Sequence, residues 1–360
     1  MGRAELSDRF VNETRHAKSW VVETHSRDVP AVEFLRSVVS KDDRVEAIDG
    51  TLTRIDVGGD ESFAWWVDSA TPRFWRYHTW EDAGPARQWL KHRIERTSHL
   101  DWTWFPSGQL RQAAGENSAE VDTDFGGRLI KGAPKPRSVV LRAAPEDSFV
   151  KDALAFLEQA DSPVARYLSV GSVRYVTHEA QEGEDFSSIV ALQLSRDGRV
   201  MARGNDWNLH GRAITAVVRR YRRLIELIET RRLTSTLGPD RSGWSLAGSP
   251  ITMHFQEPSD MDHLLEALFS CREPFRLWGH PREADGYWTV EGSDLHVGQR
   301  ISLDIGPSWL RVYLRDGVCG NTVVRLASNL EHNLDARLRF SDPKLHELFA
   351  GKTDAQVSAA

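Results

Sequence analysis

The sequence predicts an α+β protein in which curved antiparallel sheets pack against helices. Three observations support this prediction. Strand-like and helix-like segments alternate along the chain, hydrophobic residues make up 40% of the 360 positions, and charged residues make up 27%. These proportions allow a packed core. The length suits two or three domains of ordinary size.

The C-terminal third shows the clearest order of elements. A strand over 249–255 precedes an amphipathic helix over 260–270. Four strand candidates follow, beginning at Phe275, Tyr287, Arg300 and Trp309. A helix over 321–334 closes the series. The predicted order is therefore β-α-β-β-β-β-α.

The same order recurs in the other two thirds, which predicts three tandem units, each a curved antiparallel sheet packed on two helices. In the middle third, a helix begins at Ser148 and a long helix spans 209–230. The alternative is that such stretches recur by chance in an α+β chain. The predicted segments are a first unit with an N-terminal helix (1–107), a linker (108–137), a second unit (138–233), a linker (234–248), a third unit (249–350) and a tail (351–360).

This order of elements resembles the TATA-binding-protein-like fold and the helix-grip fold. The resemblance covers most of the chain and rests on element order, with no sequence motif matched. The first resemblance implies nucleic-acid binding across an open sheet face. The second implies an apolar ligand held between sheet and helix. Since one fold hosts many functions, the residues themselves must decide between them.

The sheet surfaces that face away from the helices are predicted to carry arginine and aromatic side chains. Alternate residues of a strand point to opposite faces, and the more apolar set should face the helices. The outward set suits phosphate contacts with base stacking, and it also suits a protein interface. The candidate binding residues on these strands are Arg76, Arg174, Arg199, Arg203, Arg276, Trp278, Trp309, Arg311 and Tyr313. Arg203, Arg276 and Arg311 are expected to supply the main charges.

A solvated face is the alternative interpretation of these strands, because arginine outnumbers lysine 38 to 8 in the whole chain. The long helix of the middle third adds three further candidates, Arg219, Arg220 and Arg223, beside its apolar stripe. There too, a solvated helix face with ion pairs is the alternative.

No catalytic residue, metal site or cofactor is predicted from motifs. Asp122, Asp124 and Lys131 loosely resemble the acid–acid–lysine trio of metal-dependent nucleases, but Leu129 stands where such a trio usually has glutamate. A polar linker is the simpler interpretation. The two cysteines, Cys271 and Cys319, are expected to be small packed residues.

The sequence thus predicts a non-enzymatic protein that binds nucleic acid, in a bacterial regulatory or defence setting. The alternatives are a scaffold or inhibitor that binds a partner protein, a protein with a ligand cavity, and a metal-dependent nuclease. The net charge of −6 argues against a globally basic surface but not against a local one. The two cysteines, a charged N-terminus and the absence of a ~20-residue apolar run favour a cytoplasmic protein without membrane contact.

Overall fold

Helices pack against antiparallel sheets, which confirms the predicted α+β class. The structure is a computed structural model. The residues that it describes are 2–13, 15–26, 29–59, 62–114, 118–125, 137–142, 152–153, 167–179, 188–237 and 244–352. Within these residues, no helix is long and apolar enough to cross a membrane.

Helices in the described chain are α1 (Arg3–Asn12), α2 (Ala31–Val38), α3 (Ala83–Arg96), α4 (Ser107–Ala114), α5 (Trp207–Glu229), α6 (Met261–Leu268), α7 (Asn321–Asn333) and α8 (Pro343–Phe349). Strands are β1 (Ala17–Thr24), β2 (Arg44–Ala47), β3 (Leu52–Val57), β4 (Phe63–Asp68), β5 (Phe74–Thr79), β6 (Leu100–Trp102), β7 (Ser118–Phe125), β8 (Arg137–Arg142), β9 (Leu168–Glu179), β10 (Ser188–Ser195), β11 (Arg199–Gly204), β12 (Thr234–Leu237), β13 (Trp244–Ala247), β14 (Ile251–His254), β15 (Leu277–Ala284), β16 (Tyr287–Asp294), β17 (Gln299–Gly306), β18 (Trp309–Tyr313) and β19 (Arg339–Phe340).

The strands form a large sheet, a smaller sheet and a separate hairpin. The large sheet has eleven strands in the order β2-β3-β4-β5-β1-β11-β10-β9-β7-β8, with β6 also paired to β1. The smaller sheet has six strands in the order β15-β16-β17-β18-β14-β19, and β12 pairs with β13 alone. Every pairing between these strands is antiparallel.

The first and last thirds of the chain share both element order and sheet order. From β1 to α3, and again from β14 to α7, the order is β-α-β-β-β-β-α. In each case the initial strand pairs with the last strand of the following meander, β5 or β18. The predicted order is therefore present in these two regions. Three true copies of one unit, and their resemblance to known folds, stay predictions.

The middle of the chain differs from the predicted organisation. The predicted linker 108–137 contributes most of α4 and all of β7, which pairs with both β8 and β9. Because β11 pairs with β1 from Ala17↔Ala202 to Trp20↔Arg199, the first two predicted units share one sheet. The predicted helix from Ser148 lies mostly outside the described residues.

Two helix layers enclose the β1–β5 part of the large sheet. On one face, Trp20, Trp65 and Tyr77 join an apolar cluster with side chains of α2 and α3. On the other face, α5 covers Arg76 and His78, which are both buried. Arg76 was predicted to point toward a ligand, and that prediction is wrong because a second helix layer lies over this face.

Helix α7 is buried on all sides, including its polar residues. Asn321 Nδ2 donates to Asp101 Oδ2 at 2.8 Å, and Arg325 forms ion pairs with both Asp101 and Asp294. Asp101 lies on β6 and Asp294 ends β16. The helix therefore ties the large sheet to the small one through buried charge. Burial raises the pKa of Asp101 to about 7 against the opposing effect of Arg325, and Asp294 adds to the rise.

A close backbone approach holds α8 against α4. A Cβ added at Gly108 would lie 2.3 Å from the Ala350 carbonyl carbon. Gly108→Ala is therefore expected to lower the free energy of unfolding by about 1–3 kcal/mol, as overpacking does. Chemical unfolding measures this loss. Gly211→Ala in α5 is the control, because its new methyl meets nothing within 4 Å and should stabilise the helix by about 0.5–1 kcal/mol. Equal stability of Gly108→Ala and the parent protein would contradict the packing.

Candidate functional site

One surface of β9–β11 is not covered by any described helix and carries a cluster of cations. We call it the basic face. Its cations are Lys18, Arg174, Arg199 and Arg203, the imidazole of His16 lies beside them, and its apolar residues include Val176, Ile189, Ala191 and Met201. A cavity of about 600 Å³ is lined by His16, Arg174, Arg203 and these apolar residues.

Strand alternation places these side chains together. Val173, Tyr175, Val200 and Ala202 are buried in the core that α5 shares, as predicted. Their sequence neighbours therefore point to the opposite side of the sheet. The pairs Ala191↔Arg203 and Gln193↔Arg174 bring the arginines of β9 and β11 to either side of β10. The predicted outward direction of Arg174 and Arg203 agrees with this register.

Positive potential acts on the basic face. Burial lowers the pKa of His16, and the nearby charges of Arg203, Lys18 and Arg174 lower it further. Burial also lowers the pKa of Lys18, where Asp82 and Glu81 oppose the effects of Arg15 and Arg199. Glu120 Oε2 lies 3.9 Å from Arg174 Nη1. The cations therefore outnumber the acids around this cavity.

The helix arginines lie on the other side of the same sheet. Arg219 and Arg223 are exposed on α5, whose apolar stripe packs against the Val173–Tyr175 face. Arg220 is half-buried, and burial lowers its pKa near Tyr175. Arg222 Nε donates to Glu226 Oε1 at 2.6 Å, which is the ion pairing expected of a solvated helix face. These arginines do not join the basic face.

Residues predicted on the small sheet form a network of their own. Tyr313 Oη donates to Asp304 Oδ2 at 2.6 Å, and Arg311 Nη1 lies 3.8 Å from the same oxygen. The Arg311 guanidinium also lies 5.1 Å from the Trp309 ring centroid. Arg311 is therefore partly neutralised and held in place, and its expected role as a main charge stays a prediction.

Arg276 and Trp278 differ from each other in environment. Arg276 Nη2 donates to the Leu295 carbonyl at 3.4 Å, and its Nη1 lies 3.9 Å from Glu273 Oε1. Its expected role as a main charge is wrong, because its side chain is largely buried beside this acid. Trp278 is 55% exposed, as an outward residue should be.

A second cavity, of about 520 Å³, opens where the two sheets meet, and sequence reasoning missed it. We call it the cleft. Its chemical groups are Glu23 at the end of β1, His25, Arg73 before β5, Glu229 at the end of α5, and Cys319 before α7. Arg73 Nε donates to Glu23 Oε1 at 2.5 Å, and Arg73 Nη2 donates to Glu229 Oε1 at 2.7 Å. Cys319 is buried, as the sequence predicts, but the sequence does not show that charged side chains surround it.

Burial dominates the protonation of two groups in the cleft, Cys319 and His25. It raises the pKa of the Cys319 thiol, and the Glu23 carboxylate raises it further. Burial lowers the pKa of His25, so its imidazole is neutral near pH 7. Cys319 Sγ lies 3.2 Å from Glu23 Oε1, and it accepts from Arg73 Nη2 at 3.3 Å. Arg73 holds this position with a φ of 72°, in the left-handed region that non-glycine residues rarely adopt.

The nuclease-like trio of the sequence is not assembled within the described residues. Asp122 lies on β7, where it pairs with Val140 of β8. Lys131 lies outside the described residues, as does the Asp124 side chain. The trio therefore stays an untested alternative.

The fold and these surfaces define an α+β protein with two antiparallel sheets, one basic sheet face and one charged cleft. The family model described as MJECL33-like protein matches residues 6–349, so the chain belongs to the MJECL33-like family. It is 24% identical over 318 residues to the protein MJECL33 of Methanocaldococcus jannaschii. That match covers 77% of this chain and 76% of the relative, whose description is "uncharacterized protein". The relative is archaeal and gives no support to the predicted bacterial setting.

Proposed function

We propose that the chain binds nucleic acid through the basic face, mainly by contacts to phosphate. The observation that carries this proposal is the pair Arg174 and Arg203, which line the cavity of the basic face, with Arg199 on the same side of β11. Lysine and arginine that neutralise phosphates supply most of the affinity for nucleic acid and release counterions when they bind. A net charge of −6 does not oppose this local attraction, because charges beyond about 8–10 Å are screened in physiological salt.

The lining of the basic face favours binding that does not depend on base sequence. Among the described residues that line its cavity, His16 carries the only ring. Sequence-tolerant stacking needs aromatic side chains, and base readout needs several donors aimed at base edges. The predicted aromatic stacking therefore finds little support on this face, and arginine–phosphate contacts account for the proposed affinity.

A protein partner is the second candidate, and Trp278 on the small sheet favours it. This side chain is 55% exposed, and tryptophan is enriched at the centres of protein interfaces. Such an interface would lie on a different sheet from the basic face. Binding of nucleic acid should therefore not change in a Trp278→Ala variant.

Charge reversal on the basic face tests the proposal. The double variant Arg174→Glu/Arg203→Glu is expected to weaken binding of a labelled oligonucleotide by at least about tenfold at low salt. The slope of log K against log salt should also fall by roughly 1.5–2, since two phosphate contacts are lost. Fluorescence anisotropy at several salt concentrations, with single-stranded and duplex probes, measures both quantities.

A matched control separates the basic face from total charge. Arg282 and Arg300 are exposed arginines of the small sheet, so Arg282→Glu/Arg300→Glu changes the net charge by the same amount. This control should bind within about twofold of the parent protein, because long-range screened charge contributes little. Absence of binding at low salt, or an equal loss in both double variants, would overturn the proposal.

A further inference from the structure

We propose that Glu23, His25 and Cys319 form a binding site for a divalent metal ion of the zinc type, with an open position facing the cleft. Each residue offers one ligand atom, and the three atoms lie within 4.8 Å of one another. Carboxylate oxygen, imidazole nitrogen and thiolate sulfur are the ligand types that zinc uses in proteins. This proposal does not depend on nucleic-acid binding.

The spacing of the ligand atoms already suits a tetrahedral ion. Zinc bonds of about 2.0–2.3 Å place neighbouring ligand atoms about 3.3–3.8 Å apart in a tetrahedron. Cys319 Sγ lies 3.2 Å and 3.3 Å from the two Glu23 oxygens, and His25 Nε2 lies 3.8 Å from Glu23 Oε1. The third pair, Cys319 Sγ and His25 Nε2, lies within 4.8 Å, so an ion between the three atoms needs a side-chain shift of about 1 Å or less.

An unsatisfied nitrogen points to a ligand. His25 Nε2 is buried and has no hydrogen-bond partner among the described residues. Leaving a buried polar atom unpaired costs free energy, so such an atom calls for an explanation. A metal ion bonded to Nε2 supplies the missing partner. The backbone fixes the residue independently, because the His25 amide donates to the His99 carbonyl at 2.9 Å.

The charges of the cleft can accommodate a dication. Glu23, Glu229 and a Cys319 thiolate carry three negative charges, and Arg73 and Arg232 carry two positive charges nearby. When the thiol loses its proton and a dication enters, the net charge of these groups together with the ion therefore changes from zero to +1. Arg73 contacts Glu23, Glu229 and Cys319 together, so it holds the ligands while Glu229 keeps it neutralised.

The open position faces a space large enough for water or a small ligand. Three protein ligands with a free fourth position are typical of catalytic zinc sites, whereas structural sites have four protein ligands. The cavity of about 520 Å³ beside Cys319 is also lined by His99, Arg232 and Gln299. The net charge of +1 that the cleft carries with the ion favours an anionic ligand at the open position.

Titration with Co²⁺ alone tests the site, because a cobalt–thiolate bond gives a charge-transfer absorption band. The parent protein and Cys271→Ser are expected to show this band with one Co²⁺ per chain, and Cys319→Ser is expected to lose it. Cys271 is the matched control, since it is the other free cysteine and is exposed. No band in the parent protein, its survival in Cys319→Ser, or its loss in Cys271→Ser would overturn the proposal.

A second variant keeps the test decisive if Cys319→Ser does not fold. His25 makes no side-chain hydrogen bond through Nε2 in the described chain, so His25→Gln should fold normally. It is expected to bind Co²⁺ at least about tenfold more weakly, since one of three ligands is lost. Unchanged affinity in a folded His25→Gln would contradict the proposal, whatever the cysteine variants show.

Discussion

Replacing Arg325 with methionine is expected to lower the free energy of unfolding by about 3–5 kcal/mol, because two buried carboxylates lose the cation that pairs with both. Arg325 is 2% exposed, and Asp101 and Asp294 are both 0% exposed. Asn321 and Thr322 donate to these carboxylates, at 2.8 Å to Asp101 and 2.6 Å to Asp294. Neutral donors of this kind do not replace a guanidinium between two negative charges. Guanidinium chloride unfolding at pH 8 measures the loss.

The pH dependence gives this prediction a second readout. Burial raises the pKa of Asp101 to about 7, so the folded state holds this proton at a higher pH than the unfolded chain does. The contribution of Asp101 to stability is therefore present below about pH 4 and declines as the pH rises through 7. The defect in Arg325→Met should shrink toward pH 5, where Asp101 holds its proton.

A variant without any of the three charges is the control for Arg325→Met. The triple substitution Asp101→Asn/Asp294→Asn/Arg325→Met removes the unpaired charges together with the arginine, and should recover much of the lost stability. If Arg325→Met is as stable as the parent protein at pH 8, the prediction is wrong. That result would mean that the carboxylates reach water.

Acid is expected to destabilise the fold through two buried histidines, His78 and His210. Burial lowers the pKa of His78 to about 3 and lowers the pKa of His210 well below its usual value. Nearby positive charge, chiefly Arg76 for His78, acts in the same direction. Below about pH 6.5 these two histidines become protonated in the unfolded chain but stay neutral in the folded chain. Each histidine should therefore cost roughly 2–3 kcal/mol of stability by pH 4.5.

Urea unfolding of the double variant His78→Gln/His210→Gln, measured at several pH values between 7 and 4.5, checks this effect. Its stability relative to the parent protein should rise as the pH falls, even if it is lower at pH 7 because Ser19 loses its ring contacts. The exposed His280, changed to glutamine, is the control and should leave the pH dependence unchanged. Parallel pH profiles for the double variant and the parent protein would show that the buried rings do not resist protonation.

The sequence predicts which side chains of a strand point into the core where helices cover only one side of the sheet. In β11, the apolar Val200 and Ala202 alternate with Arg199, Met201 and Arg203, and the structure follows that pattern. In β5 the same reasoning gave Arg76 a solvent-facing position, yet all six residues of the strand are buried. Alternation cannot show which side is solvated when helices cover both faces.

The cleft and the buried charges could not be predicted because their residues are far apart in the chain. Glu23 and Cys319 are 296 positions apart, and Asp101 and Arg325 are 224 apart. No local spacing marks such a site. Similarly, the polar side of α7 has the pattern of a solvated helix face, whereas the structure pairs it with β6 and β16.

Methyl NMR tests the proposed use of the basic face most directly. The chain has four methionines, of which Met201 lies on that face while Met253 and Met261 lie in the region of the small sheet. In a titration with an oligonucleotide at low salt, the Met201 methyl signal should shift in step with binding while those of Met253 and Met261 stay in place. Binding that leaves Met201 unmoved would contradict the account and place the contact elsewhere.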